Sequence, residues 1–210
     1  MAEFPIVPAK AAMLFFDTLN VYLHPSDAKA QAEIEQSGVI GRMQKMNAAC
    51  RAAGIPIFYA QADHRPDGKD FAPQIVDEDY YRKPGDEKGR ITAPTAVSHA
   101  GPAREVIAEL APQPDDYVIK KHRWSTFFQT HFELSLRTAG IDTIMMCGGS
   151  VEVGIASTAY SARDRDFNQI ILRDACTSRK PDVQECFMNR IFPVFCRVMT
   201  VDEAIALMSS

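Results

Sequence analysis

Three places in the chain carry residue types suited to acid–base chemistry: Asp17, Lys121, and the glycine-rich turn from Gly148 to Gly154. A carboxylate and an ammonium in one cleft tune each other. The ammonium favours the charged carboxylate, and burial opposes both charges. Such a pair can poise a proton donor or acceptor near neutral pH. The glycine turn leads into an apolar helix, so its backbone N–H groups can face a carboxylate or a developing oxyanion. Gln61 ends another apolar run, and Trp124 and Phe127 follow the lysine as pocket wall or core. Each residue also has a plain structural account. An aspartate at a strand end caps the next turn, a lysine there is usually solvated, and paired glycines make tight turns. Together they outline a site, but they name no reaction.

Metal chemistry has weaker support. His24, His64, His99, His122 and His131 form no HxH or HExxH spacing. Asp63 directly precedes His64, and adjacent loop residues rarely converge on one ion. Cys50, Cys147, Cys176, Cys186 and Cys196 are odd in number and contain no CxxC pair. They read as small buried hydrophobes in a reducing, cytoplasmic setting. We expect no metal and no cofactor.

These residues must be positioned by the elements around them. Ala11 to Phe16 is a short apolar run ending at Asp17, the pattern of a buried parallel strand. Asp27 to Ala53 reads as a helix stopped by Gly54, with Ile40, Met43, Met46 and Cys50 on one face. Further strands are predicted at 55–60, 117–120, 141–147, 169–172 and 194–199. Helices are predicted at 102–110, 127–139, 151–163 and 183–191. A final helix follows Thr200, with Glu203 at its capping-box position. This alternation predicts an α/β fold: a three-layer αβα, Rossmann-like arrangement around a six-stranded parallel sheet. Such sheets bind ligands beyond the C-terminal strand ends, where Asp17, Gln61, Lys121 and the glycine turn would meet. Ala62 to Gly101 is rich in Pro, Gly and charge. It reads as a long irregular segment with the role of a lid or an oligomer contact.

The chain has 210 residues and is 46% hydrophobic, which suits one domain over 1–210 with a sizeable core. A formal net charge of −4 gives no basic footprint for nucleic acid. No apolar run is long enough to span a membrane, and the first ten residues lack the pattern of a signal peptide. The expected partner is a small molecule.

The motifs resemble the isochorismatase-like hydrolase superfamily, also called the cysteine hydrolases. Phe16-Asp17-Thr18-Leu19-Asn20 is similar to its first motif. Val118 to Phe127 is similar to the second, with Lys121 in the lysine position. Cys147 to Gly154, followed by Ser157-Thr158-Ala159, is similar to the third. In the amidase members, an Asp–Lys–Cys triad forms a thioester. The resemblance puts Asp17 and Lys121 in the first two roles and Gly154 in the place of the cysteine. Cys147 lies seven residues earlier, in or at the end of a strand. The superfamily's Asp-x-His metal motif is not intact, because Ala62 stands where the aspartate would be.

One branch of the superfamily, the isochorismatases proper, also carries glycine at this place. It hydrolyses a vinyl ether by protonating the enol carbon from the aspartate and adding water. The resemblance therefore implies Asp17 as general acid, Lys121 as its charge partner, and Gly154 as a vacated nucleophile position. It implies substrate contacts from Gln61, Trp124, Phe127, Gly149, Ser150, Val151 and Glu152. Glu152 departs from that branch, which tends to have histidine there. A non-proline cis peptide is expected at Ser150–Val151, and a homodimer or homotetramer is expected. Amide or ureido C–N hydrolysis and a degenerate binding role remain open alternatives.

Overall fold

Ala11–Phe16 forms β1, and all six of its side chains are buried, as a continuous apolar run in the middle of a parallel sheet requires. It pairs with Ile57–Ala62 (β2) on one side and Thr143–Gly149 (β4) on the other. Tyr117–Lys121 (β3) adds outside β2, Asn168–Thr177 (β5) outside β4, and Arg197–Met199 (β6) outside β5. Every pairing is parallel and the order is β3-β2-β1-β4-β5-β6. Helices flank this sheet, giving the three-layer α/β fold that the alternation predicts. The computed structural model describes residues 4–65, 67, 69–70, 101–178 and 180–208.

The order reverses between β1 and β4, so the topological switch point lies at the C-terminal ends of these two strands. Asp17 follows β1 directly, and the glycine turn ends β4. Gly148 stands opposite Phe16 in the register. It has φ +112, and a Cβ there would collide with the Phe16 carbonyl, so the close approach of the two strand ends requires glycine.

Several boundaries differ from the sequence expectation, each for a local hydrogen-bonding reason. The predicted 27–53 helix is two helices, Ala28–Ser37 and Val39–Ala52. Gly38, at φ +66, closes the first, and Asp27 caps its start by accepting the Ala30 N–H at 2.8 Å. β2 starts at Ile57 rather than Ile55, because the Ile55 N–H still closes the preceding helix on the Cys50 carbonyl at 2.9 Å. β4 starts late in the same way: the Ile141 N–H is held by the Leu136 carbonyl at 2.9 Å. The predicted 127–139 helix begins only at Phe132. Side chains of Ser125 and Thr130 take backbone partners before it, and Gln129 has φ +53.

The predicted 102–110 helix is two short 3-10 turns, Pro102–Arg104 and Ala108–Leu110, while β5 runs on to Thr177. The strand predicted over 194–199 shrinks to Arg197–Met199, since the N–H groups of Phe195 and Cys196 both turn back to the Phe192 carbonyl. The capping box is present: Thr200 N–H donates to Glu203 Oε2 at 2.7 Å and Glu203 N–H donates to Thr200 Oγ1 at 3.2 Å. Of the irregular segment expected over 62–101, Ala62 belongs to β2, and residues 71–100 lie outside those described. Among the described residues no helix is long and apolar enough to cross a membrane.

Candidate active site

The strand ends bring Asp17 and Lys121 into contact across 104 residues of sequence. Lys121 Nζ donates to Asp17 Oδ2 at 2.8 Å, and Asp17 Oδ1 accepts the Ala62 N–H at 2.9 Å. Both side chains are buried. Asp17 has φ +47, an uncommon conformation for a residue with a side chain. It turns the chain out of β1, and its own N–H stays on the Ala60 carbonyl at 2.8 Å. In a buried pair each charge depends on the other, since losing one partner leaves an uncompensated ion away from water. Lys121 Nζ also sits 4.4 Å from the centroid of the Phe16 ring, a cation–π distance.

A cavity of about 1380 Å³ opens over this pair. Asp17, Lys121, Trp124, Phe127, Gly149, Ser150 and Gly154 all line it. Three expected substrate contacts do not. Gln61 alternates to the other side of β2, where its side chain donates to the Arg104 carbonyl at 2.6 Å. Val151 is fully buried. Glu152 turns aside and accepts the Ser178 hydroxyl at 2.8 Å.

The glycine turn differs in detail from expectation. The non-proline cis peptide is at Gly149–Ser150, one residue before the expected bond. Val151–Ile155 is a π-helical turn leading into the Ala156–Arg163 helix. The N–H groups of Val153, Gly154 and Ile155 all converge on the Ser150 carbonyl, at 3.3, 3.1 and 3.2 Å. Those three donors are therefore engaged within the turn, and the Gly154 N–H does not face the cavity as a spare oxyanion donor.

Gly154 lacks more than a side chain: it lacks room for one. A Cβ built there would fall inside the van der Waals envelope of Phe16 Cε1 and Cζ. The ring is only 1% exposed, so it is packed in this place rather than lying loosely over it. The sequence identified Phe16 only as the last residue of a strand. The signal available there was a bulky ring before Asp17 combined with a glycine at 154, two volumes that only the fold shows to be adjacent.

Cys147 and Cys176, in the two strands beside the turn, are both buried. Cys147 is fully buried in β4, and burial pushes its pKa well above the usual thiol range. Cys176 does line the cavity wall, but burial pushes its pKa up to about 12, so the thiol keeps its proton at neutral pH.

The segment after Lys121 is held against the Ala156–Arg163 helix. Thr158 Oγ1 accepts the Thr126 N–H at 3.0 Å, and Ser125 Oγ donates to Ser161 Oγ at 2.9 Å. Phe127 is buried against Phe132 and Phe167, whereas Trp124 is 49% exposed at the cavity mouth. Among the cations of the lining, Lys121, Arg42 and Arg165 are paired with Asp17, Asp174 and Glu133, whereas Arg123 and Arg173 bond the Asp70 carbonyl and the Asn189 amide oxygen, which leaves their charge to favour an anionic guest.

One group of metal-ligand types was not legible in the spacing. His64, Asp70 and His122 each offer a ligand atom, and these atoms lie within 4.8 Å of one another. His64 Nδ1 is 3.4 Å and His122 Nδ1 3.9 Å from Asp70 Oδ2. Burial pushes the His64 pKa below the usual histidine range, and Asp70 opposes that shift. Asp63, the neighbour considered in the sequence, instead pairs with Arg104 at 3.0 Å and Lys120 at 3.4 Å.

A family model for the isochorismatase domain matches residues 11–203. The uncharacterized isochorismatase family protein YecD of Escherichia coli O157:H7 is 30% identical over 174 residues, 79% of this chain and 80% of its own length. The ureidoacrylate amidohydrolase RutB of Azorhizobium caulinodans is 28% identical over 203 residues, 91% of this chain and 87% of its own. Among solved structures, a cysteine hydrolase from Pseudomonas syringae pv. phaseolicola is similar with a TM-score of 0.80 and 27% identity, covering 100% of this chain and 99% of that one. One family model runs from the first residue of β1 into the final helix, and the chain therefore belongs to the isochorismatase family and is a hydrolase.

Proposed function

We propose that this hydrolase works without a covalent cysteine intermediate, and that Asp17 is its general acid. The observation that carries this reading is the ring of Phe16 filling the space beside Gly154, with the cavity's one described thiol, Cys176, held protonated. The leading substrate class is a small anionic vinyl ether. Asp17 reacts in its protonated form, the minor one beside the Lys121 ammonium, and gives that proton to the enol carbon, leaving an oxocarbenium ion. Water adds to that cation and returns a proton to the carboxylate. The resulting hemiketal collapses to a ketone and an alcohol. Lys121 neutralises Asp17 once the proton has left, at the 2.8 Å contact already described. A carboxylate oxygen that accepts one hydrogen bond keeps a second lone pair for the returning proton. The cationic excess of the lining supports an anionic substrate.

The test is turnover of isochorismate-like enol ethers by wild type and by Asp17→Asn. Loss of at least about 100-fold in kcat, at unchanged fold, is expected for removal of a general acid. Undiminished turnover by Asp17→Asn would overturn the assignment.

A second reading, hydrolysis of a small amide or ureido C–N bond, is favoured by the similarity to RutB. At this site, water rather than a thiol would attack the carbonyl, with Asp17 taking its proton. Ammonia release from ureido acids, with no enol-ether turnover, would select this reading over the first.

A further inference from the structure

We propose that Phe16 sets the reaction class of this site, by occupying the volume a nucleophilic side chain at position 154 would need and by seating Lys121 against its ring. The inference rests on the reading that catalysis proceeds without a thiol, and it deepens that reading by naming the residue that enforces it. Three observations converge. A Cβ at 154 would meet Phe16 Cε1 and Cζ at impossible range and Cδ1 at 3.0 Å. The ring is 1% exposed and lines the cavity, so relieving that clash requires a packed ring to move. Lys121 Nζ rests 4.4 Å from the ring centroid while it donates to Asp17 at 2.8 Å, so the ring helps fix the ammonium that the acid needs.

The absence of a nucleophile here is therefore a matched pair of residues, a large one at 16 and none at 154. A glycine alone would leave a gap that a single substitution could fill. With the ring in place, Gly154→Cys alone puts a thiol into occupied space. Shortening Phe16 in the same chain opens that space beside Asp17 and Lys121. There the thiol proton can pass to the Asp17 carboxylate, and the thiolate can attack an activated ester. With p-nitrophenyl acetate, the sulfur–acyl bond forms, the ester C–O bond breaks, and p-nitrophenolate leaves. Water later cleaves the thioester to acetate and restores the thiol. Phe16 is thus a positioning residue. It touches the Lys121 ammonium and excludes a competing route.

The experiment compares Gly154→Cys, Phe16→Val and Phe16→Val/Gly154→Cys in the full chain. Alkylation of the introduced thiol by iodoacetamide is mapped by peptide mass spectrometry across pH, and acetyl transfer from p-nitrophenyl acetate is read as intact mass. The double variant is expected to alkylate at least tenfold faster than Gly154→Cys, with a midpoint below the usual thiol range, and to carry an acetyl group that the single variant does not. Equal alkylation and acetylation of the two would overturn the proposal. So would an unreactive thiol in a folded double variant.

A stability cycle keeps the question decidable if a cysteine variant does not fold. Gly154→Ala should lower Tm by at least about 4 °C in wild type and by less than about 1 °C in the Phe16→Val background. Equal shifts in both backgrounds would also overturn it. None of these readouts needs the natural substrate. A failure of enol-ether turnover would therefore count against the proposed reaction and leave the Phe16 result intact, and the reverse holds as well.

Discussion

Asp17 and Lys121 depend on each other for burial. Removing the ammonium while leaving the carboxylate enclosed costs about 3–5 kcal/mol in comparable buried pairs, chiefly from the uncompensated charge. Lys121→Met should accordingly lower the urea midpoint strongly, and Asp17→Asn/Lys121→Met should recover most of that loss while remaining inactive. Chemical denaturation of the three chains distinguishes this coupling from two independent losses. The thiols give the pH dependence. Burial raises the pKa of Cys50, Cys176 and Cys196 to about 12 in the folded chain. Below the usual thiol pKa of about 8.5 both states hold these protons, and pH leaves their contribution unchanged. As pH rises past that value the unfolded chain releases protons that the folded chain keeps, so unfolding gains. Stability should decline from about pH 8.5 upward, with a shallower decline in Cys176→Ala. At pH 7.5, iodoacetamide should leave Cys176 unmodified in native protein and activity undiminished. The Asp–Lys pair was legible in the sequence because both residues follow apolar runs. The role of Phe16 was not, because adjacency between a strand residue and a helix-turn glycine exists only after the strands have paired.

The lysine segment and the Ala156–Arg163 helix behave as one unit. Thr158 Oγ1 holds the Thr126 N–H where no water can replace it, since both residues are fully buried. Thr158→Val keeps the shape but leaves that donor unsatisfied, at a cost of about 1–3 kcal/mol. Because Trp124 to Phe128 form cavity wall rather than acid–base machinery, KM should rise more than kcat falls. Steady-state kinetics on the proposed enol-ether substrate class measures the ratio. Element order was legible here, since short apolar runs of about four to seven residues alternate with amphipathic stretches. Boundaries were less so. The helix expected at Phe127 starts at Phe132 because Ser125, Thr130 and Thr158 capture backbone groups first. No periodicity records that competition. Gln61 lies away from the cavity lining for a related reason. Its place at a strand end was correct, and the alternation of the strand sent its side chain to the opposite face.

At the scale of the molecule, the strand order β3-β2-β1-β4-β5-β6 gathers residues from distant parts of the chain at one sheet edge. Sequence alternation was enough to predict that edge and the fold behind it, because parallel sheets with crossover helices leave few other arrangements. It could not place the residues around His64, whose neighbours come from separate segments. One feature of this edge bears on how the protein can change. The chain passes through Gln61 to His64 before residues 71–100 and returns through Arg104. These two points are joined directly: Gln61 to the Arg104 carbonyl at 2.6 Å, Arg104 to the His64 carbonyl at 3.0 Å, and Arg104 to Asp63 at 3.0 Å. Departure and return share a single doorway. Arg104 is the clasp of that doorway: its side chain holds Asp63 and the His64 carbonyl while its own carbonyl holds Gln61. Arg104→Ala should lower Tm by about 2–4 °C, as loss of its charged hydrogen bonds implies, and a thermal scan checks it. A single substitution at Arg104 would thus loosen the exit of β2 beside Ala62, whose N–H holds the Asp17 carboxylate at 2.9 Å.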